Sequence, residues 1–311
     1  MKDAFKTHFW ISVILWVSTF TTQSFACDIC GCAASGAAYF GILPQFQRNF
    51  AGLRFQYRSF SHPQTEFNVN GTSKVLEDRF FSQEIWFRYY PHKKIQILGQ
   101  IPLREHIRYE SKRTTRLSGL GDIHFSANVT VLNTGDSLQK RWKQTLLAGI
   151  GIKANTGKYQ QRDETQVILP AAFQLGTGGW AYQLQSIYTL RHRSWGINAD
   201  IQYRKNTNNE AEYQFGDQFT SSFSVFYWKN TKHFQFLPYT GLGLEFAAKD
   251  KEFNKIKPET GGKLLLWNAG LDTYYKKWIL QLFVQQPVFQ QLPKNQPAGN
   301  LRLGSGIAML F

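Results

Sequence analysis

The stretch GDIHFSANVTVL, residues 121–132, decides the fold. Every second residue is apolar: Ile123, Phe125, Ala127, Val129 and Val131. Between them stand Asp122, His124, Ser126, Asn128 and Thr130. A helix repeats every 3.6 residues and would mix these two sets, whereas a strand sends successive side chains to opposite faces. The stretch is therefore a strand with one apolar and one polar face. The same period recurs on either side of it. In IQILGQIPLREHIRY (95–109), Ile95, Ile97, Ile101, Leu103 and Ile107 stand against Gln96, Gln100, Arg104, His106 and Arg108. FAGLRFQYR (50–58) sets Leu53, Phe55 and Tyr57 against Arg54, Gln56 and Arg58. WGINADIQYR (195–204) sets Trp195, Ile197, Ala199, Ile201 and Tyr203 against Asn198, Asp200, Gln202 and Arg204.

Alternation alone also fits a soluble β-sandwich. Two features oppose that. Many of the strands reach ten or more residues, against a usual length of about five or six. Their polar faces carry Arg, His, Asp and Gln in mid-strand, as a watery lumen allows. Composition agrees. Aromatic residues make up 16% of the chain, yet its mean hydropathy is −0.36. The sequence thus predicts an all-β, antiparallel, up-and-down transmembrane barrel.

The amino terminus supplies the compartment. MKDAFKTHFWISVILWVSTFTTQSFA (1–26) runs from Lys2 and Lys6 through an apolar core to Ser24 and Ala26, the order of a secretory signal peptide. Its apolar run is too short to cross a bilayer as a helix. Export and a barrel together place the chain in the outer membrane of a Gram-negative bacterium. The expected organisation is a signal peptide (1–26), a cysteine-bearing segment (27–48) suited to plug the periplasmic mouth or lumen, and a barrel (49–311). Strands are expected near 50–60, 78–90, 94–109, 119–132, 142–155, 180–190, 194–205, 214–228, 233–248, 263–274, 277–289 and 300–311, twelve in all, with fourteen if 166–179 forms a hairpin. Short links such as PHKK, RHRS, KNTK and YYKK alternate with long ones, as periplasmic turns alternate with outer loops. The final strand ends on Phe311, which resembles the signal that barrels present to the outer-membrane assembly machinery.

Three further stretches, GLGDIHFSANVTVL (119–132), LPAAFQLGTGGWAYQLQSIYTL (169–190) and YQFGDQF (213–219), carry a family resemblance. The chain resembles the outer-membrane transporter family named for phenol and meta-pathway degradation, along residues 50–311. The opening CDICGC followed by GILPQF resembles a variant of such barrels from Bacteroidetes-type bacteria. The resemblance implies a channel for a small solute.

The polar faces sketch the path that solute would take. Arg54, Arg58, Arg88, Arg104, Arg108 and Arg204 are expected to point inward, with Lys143 and Lys153, joined by His106, His124 and Asn128. Glu84, Asp122, Asp200 and Glu245 are the acidic members. Such a lining favours anions. The competing reading is that these charges pair across strands and fill a narrow barrel, leaving a closed structural or binding barrel without transport. The net charge of +15 resides largely in the short turns, at Lys93, Lys94, Arg191, Arg193, Lys229, Lys232, Lys276 and Lys277, where it meets lipid headgroups. No nucleic-acid module accompanies it, and export opposes a nucleic-acid partner. An enzyme is not expected. His124, Ser126 and Asn128 share a face, but successive same-side residues lie about 7 Å apart, beyond the reach of a nucleophile and its base.

All three cysteines, Cys27, Cys30 and Cys32, fall in ACDICGCAAS (26–35). Three readings stand open. Two of them close a small disulfide in an oxidising compartment. Alternatively, three thiolates form a soft donor set for Cu(I) or Zn(II). Or Cys27, once at the mature terminus, carries lipid.

Overall fold

The computed structural model describes residues 48–63, 75–110, 113–134, 141–293 and 297–311. Signal peptide, cysteine segment and the proposed cysteine site at Cys27, Cys30 and Cys32 lie outside these residues. Strands follow in chain order: β1 (Phe50–Pro63), β2 (Val75–His92), β3 (Ile95–Tyr109), β4 (Thr114–Leu120), β5 (His124–Asn133) and β6 (Trp142–Lys153). After a long loop come β7 (Ala181–His192), β8 (Trp195–Asn206), the short β9 (Tyr213–Gln214), β10 (Gln218–Tyr227), the short β11 (Lys229–Asn230) and β12 (Phe234–Ala247). The two-residue strands β13 (Lys251–Glu252) and β14 (Lys255–Ile256) sit in the next loop. Then follow β15 (Gly262–Tyr275), β16 (Trp278–Gln291), the short β17 (Ala298–Gly299) and β18 (Arg302–Leu310).

Neighbouring strands pair antiparallel throughout, and β1 pairs with β2 on one side and β18 on the other, so the sheet closes into a twelve-stranded barrel. At the seam Phe50 faces Leu310 and Tyr57 faces Leu303. A Cβ on Gly52 would stand 2.4 Å from the Ile307 carbonyl oxygen, so only glycine lets β1 and β18 approach this closely. Closure matters because an open edge would leave unpaired backbone groups in hydrocarbon.

Tight turns at one end join β2 to β3, β7 to β8 and β15 to β16. Arg193 (φ 54°) and Lys276 (φ 52°) take the left-handed conformation that two-residue hairpins need. Both barrel termini lie at this end, with the Phe311 amide bonded to the Asn49 carbonyl at 3.0 Å. The outer wall is apolar: Leu53, Ile150 and Leu184 are each 60% exposed or more. Near the tight turns it becomes aromatic. Trp142 stacks on His192 at 4.4 Å, and Trp195 and Phe234 each lie 4.9 Å from a tyrosine. Rings of this kind sit at headgroup level in outer-membrane barrels.

One expectation needs correction. The strand expected at 119–132 is broken into β4 and β5, which pair with the outer and inner halves of β3. Gly121–Ile123 leave the ladder: the Gly121 amide turns to the Pro102 carbonyl (2.8 Å) and that of Ile123 to the Thr156 hydroxyl (2.9 Å). Asp122 keeps the inward side that the alternation assigns it. The stretch GTGG (176–179) lies in the outer loop between β6 and β7. Gly176 and Thr177 are buried inside the barrel mouth, and 166–179 forms no additional hairpin of the barrel.

Candidate functional site

Inward positions follow directly from the two-residue period. Arg54, Arg58, Arg88, Arg104, Arg204 and Glu245 are buried, as are His106, Asp122, His124 and Asn128, while Arg108 and Asp200 are half-buried. Lys153 joins them, 3% exposed. The interior is thus dense with polar groups, and most of them are matched.

Four ion pairs organise it. Arg54 meets Glu84 across the β1–β2 ladder, through Nε at 3.0 Å and Nη2 at 2.5 Å. Arg108 grips Asp78 across β2–β3 with two bonds of 2.7 and 2.8 Å. Lys153 donates to Asp122 at 2.7 Å. The fourth pair differs in kind. Arg302 on β18 holds Glu245 on β12 through bonds of 2.7 and 3.0 Å, although β15 and β16 stand between those strands. Three strand spacings amount to about 14 Å, so this pair is a strut across one corner of the lumen. The pairing offsets much of the cationic excess expected from the sequence. Arg302 and Asp78 were not among the expected path residues.

Amide side chains fill the wall formed by β3, β5 and β7. Asn128 donates to Gln96 at 2.9 Å and accepts from Gln185 at 2.6 Å; Gln185 also reaches Ser126, and His124 meets Gln183 at 2.6 Å. His124, Ser126 and Asn128 therefore bond to glutamines and not to one another, which is not the arrangement of a nucleophile and its base.

The long loop between β6 and β7, residues 154–180, folds back into the barrel. Its 3-10 helix, Ala171–Phe173, delivers Phe173 to a site of zero exposure between Phe80 (ring centroids 5.9 Å) and His106 (5.8 Å), under the Arg108 guanidinium at 4.8 Å. The Phe173 carbonyl accepts from His106 Nδ1 at 2.9 Å, and that of Leu175 from Arg104 Nη1 at 2.9 Å. Deeper anchoring comes from Asp122. Its carboxylate accepts from the Gly157 amide (3.0 Å), the Thr177 amide (3.0 Å) and the Thr177 hydroxyl (2.9 Å), besides Lys153. Lys153 also donates to Thr177 Oγ1 and to the Gly179 carbonyl. The loop's outer tip is braced separately. Asp163 accepts from the amides of Thr165 and Val167 and from the Thr165 hydroxyl, which holds its carboxyl below the usual range, and Arg113 pairs with it at 2.9 Å. VILPAAFQL (167–175) is an apolar run inside a long polar loop, and that was the one legible sign that this segment is buried.

The far end of the lumen is apolar as well. Phe50, Trp86, Phe226, Leu237, Ile279 and Leu310 cluster by the tight turns, each 2% exposed or less, with Phe50 and Trp86 at 4.3 Å. The interior therefore runs from an apolar neck through a charged belt to a loop plug. Among the described residues no three His, Cys, Asp or Glu converge to hold a metal ion.

A family model described as "Putative MetA-pathway of phenol degradation" matches residues 65–271. No curated protein matches the chain in sequence. Among solved structures, the chain is similar to an outer membrane channel from Pseudomonas putida F1, with 15% identity, 85% of this chain and 95% of that one covered, and a TM-score of 0.61. It is similar also to the translocator domain of the autotransporter NalP from Neisseria meningitidis (8% identity, 91% and 96% covered, TM-score 0.45) and to the CymD monoaromatic hydrocarbon channel (8%, 93% and 95%, 0.41). The Pseudomonas channel shares the fold; the other two overlap too loosely to add to it.

Proposed function

The chain belongs to the family described as putative MetA-pathway of phenol degradation, and on that premise we propose that it is an outer-membrane channel for a small solute, gated by loop 154–180. The carrying observation is the docking of that loop on Asp122 and Lys153, with Phe173 and Leu175 fully buried inside the barrel mouth. A covalently closed plug would need no such reversible tether. Hydrogen bonds and ion pairs of this kind can be exchanged for water when the loop swings out.

A second reading is favoured by the strut of Arg302 and Glu245: the interior charges fill the barrel and nothing passes. Ion current through purified protein in planar bilayers separates the two. Infrequent openings that become frequent when the loop is released support the channel. Silence in both forms supports the closed barrel.

The remaining parts of the reading rest on sequence. Residues 1–26 direct export, Phe311 is read by the assembly machinery, and Cys27, Cys30 and Cys32 offer a soft site for Cu(I) or Zn(II) ahead of the periplasmic mouth. The basic turns meet outer-membrane lipid. The aromatic belt beside them supports this, since Lys276 lies 5.4 Å over the exposed Tyr275. Native mass spectra with anionic lipid retained by the wild type and lost on neutralising the turn lysines would bear this out; equal retention would refute it.

A further inference from the structure

One wall of the lumen has no part in holding the loop. It is formed by β8, β10, β12 and β15; Arg204 stands at the outer end of β8, and below it the inward groups include acceptors without partners. Asp200 on β8 accepts from the Ser222 hydroxyl on β10 and makes no ion pair among the described residues. Asn268 on β15 is 4% exposed, and its Oδ1 has no hydrogen-bond partner; nor does the hydroxyl of Ser224, which is 1% exposed. These side chains share one neighbourhood. Ser224 lies opposite Gly241, and Gly241 opposite Asn268, so the two orphans stand in one row across three strands. The strand between them carries glycine at 241 and 243. A Cβ at Gly241 would stand 2.6 Å from the Ser224 hydroxyl oxygen, and one at Gly243 would stand 3.0 Å from the Asn268 amide nitrogen. The missing side chain at Gly243 leaves a recess of about 20 Å³, lined by Asp200, Ser222, Glu245, Asn268 and Gln285, with Ser224 beyond its edge on β10.

That volume holds one water-sized group. Glu245 is engaged by Arg302, so the negative charge not matched by a cation in the recess is that of Asp200. A buried acceptor without a partner is costly, and a carboxylate more so. The occupant that answers both is a compact cation with N–H donors. We propose that the recess binds the ammonium group of a small primary amine, and that the channel's solutes include organic cations of this class. This rests on the lumen admitting a solute. The guanidiniums nearest the recess, Arg302 and Arg58, both act on Glu245, which leaves the Asp200 side of it to an incoming amine.

The test does not depend on the loop opening. The full chain is refolded into neutral detergent with n-butylammonium, n-butanol, butyrate or potassium ion present throughout, and its unfolding temperature is followed against ligand concentration. Wild type should show a saturable rise with n-butylammonium alone. Asp200→Asn keeps the side chain's shape and should raise the half-saturating concentration by at least about tenfold, the weight of a charge-assisted bond. Asn268→Leu should weaken it as well. A heat-modifiable band in gels shows that each variant has formed its barrel. Equal protection by butanol or potassium, no rise in wild type, or an unaltered response in a folded Asp200→Asn barrel overturns the proposal. Those outcomes leave gating untouched, because gating is read separately as current.

Discussion

Replacing Asp122 with alanine should release the loop. In the folded barrel its carboxylate receives four donors, from Lys153 Nζ, the amides of Gly157 and Thr177, and the Thr177 hydroxyl. Lys153 is 3% exposed, so the substitution strands a buried ammonium with only Thr177 Oγ1 and the Gly179 carbonyl for company. Stranding one member of a buried ion pair costs about 3–5 kcal/mol. Since about 1.4 kcal/mol is a factor of ten, the balance between docked and released loop should move by roughly two to three and a half decades. A loop docked 99 times in 100, a gap of about 2.7 kcal/mol, would then be mostly released. The ammonium escapes its penalty only by moving to water, and it can do so only when residues 157–179 move away. Current across planar bilayers should rise from rare openings to frequent ones. The decisive comparison is the double variant Asp122→Ala with Lys153→Met. It removes the stranded charge and leaves an apolar pair, which is often no worse than the ion pair it replaces. Open probability should fall back toward the wild-type value. If the single variant conducts no more than wild type, or if the double variant is the more open of the two, the tether does not govern the loop.

Three other outcomes follow from the same geometry. Gly52→Val puts a side chain 2.4 Å from the Ile307 carbonyl oxygen at the seam between β1 and β18, so the heat-modifiable barrel band should be lost or much reduced; an undiminished band would show that the seam can shift. Arg302→Met leaves Glu245 buried and unpaired, and the denaturant midpoint should drop by an amount equal to about 3–5 kcal/mol, with recovery in Arg302→Met/Glu245→Leu; the absence of that recovery would contradict a pairwise strut. For the cysteine segment, metal analysis of protein purified without chelator should find Cu or Zn in wild type and none after Cys27, Cys30 and Cys32 are changed to Ser. An intact mass lower by two hydrogens with no metal would assign a disulfide instead.

Much of the barrel was legible because strand period is a local property. Leu53 and Arg54, or Phe125 and Asn128, are sorted to lipid or lumen by parity alone, and the observed burial follows that parity. Strand count was legible too, since PHKK, RHRS and YYKK mark tight turns at regular intervals. The break at Gly121–Ile123 was not, because Asp122 obeys the same alternation as its neighbours. Its exit from the ladder depends on Lys153 and Thr177, which are 31 and 55 residues away.

Sequence by itself therefore determined that this chain is an antiparallel outer-membrane barrel of twelve or fourteen strands with charged side chains turned inward, and the structure settled on twelve. Those features follow from repeat length, turn chemistry and the need to satisfy every backbone group in lipid. Only the tertiary structure decided which charges meet, that Arg302 reaches Glu245 over two intervening strands, and that Phe173 lies inside the lumen. Closing a sheet into a cylinder brings together residues with no fixed separation along the chain. Such contacts are set by curvature and by the path of one loop, and neither has a period that a sequence can display.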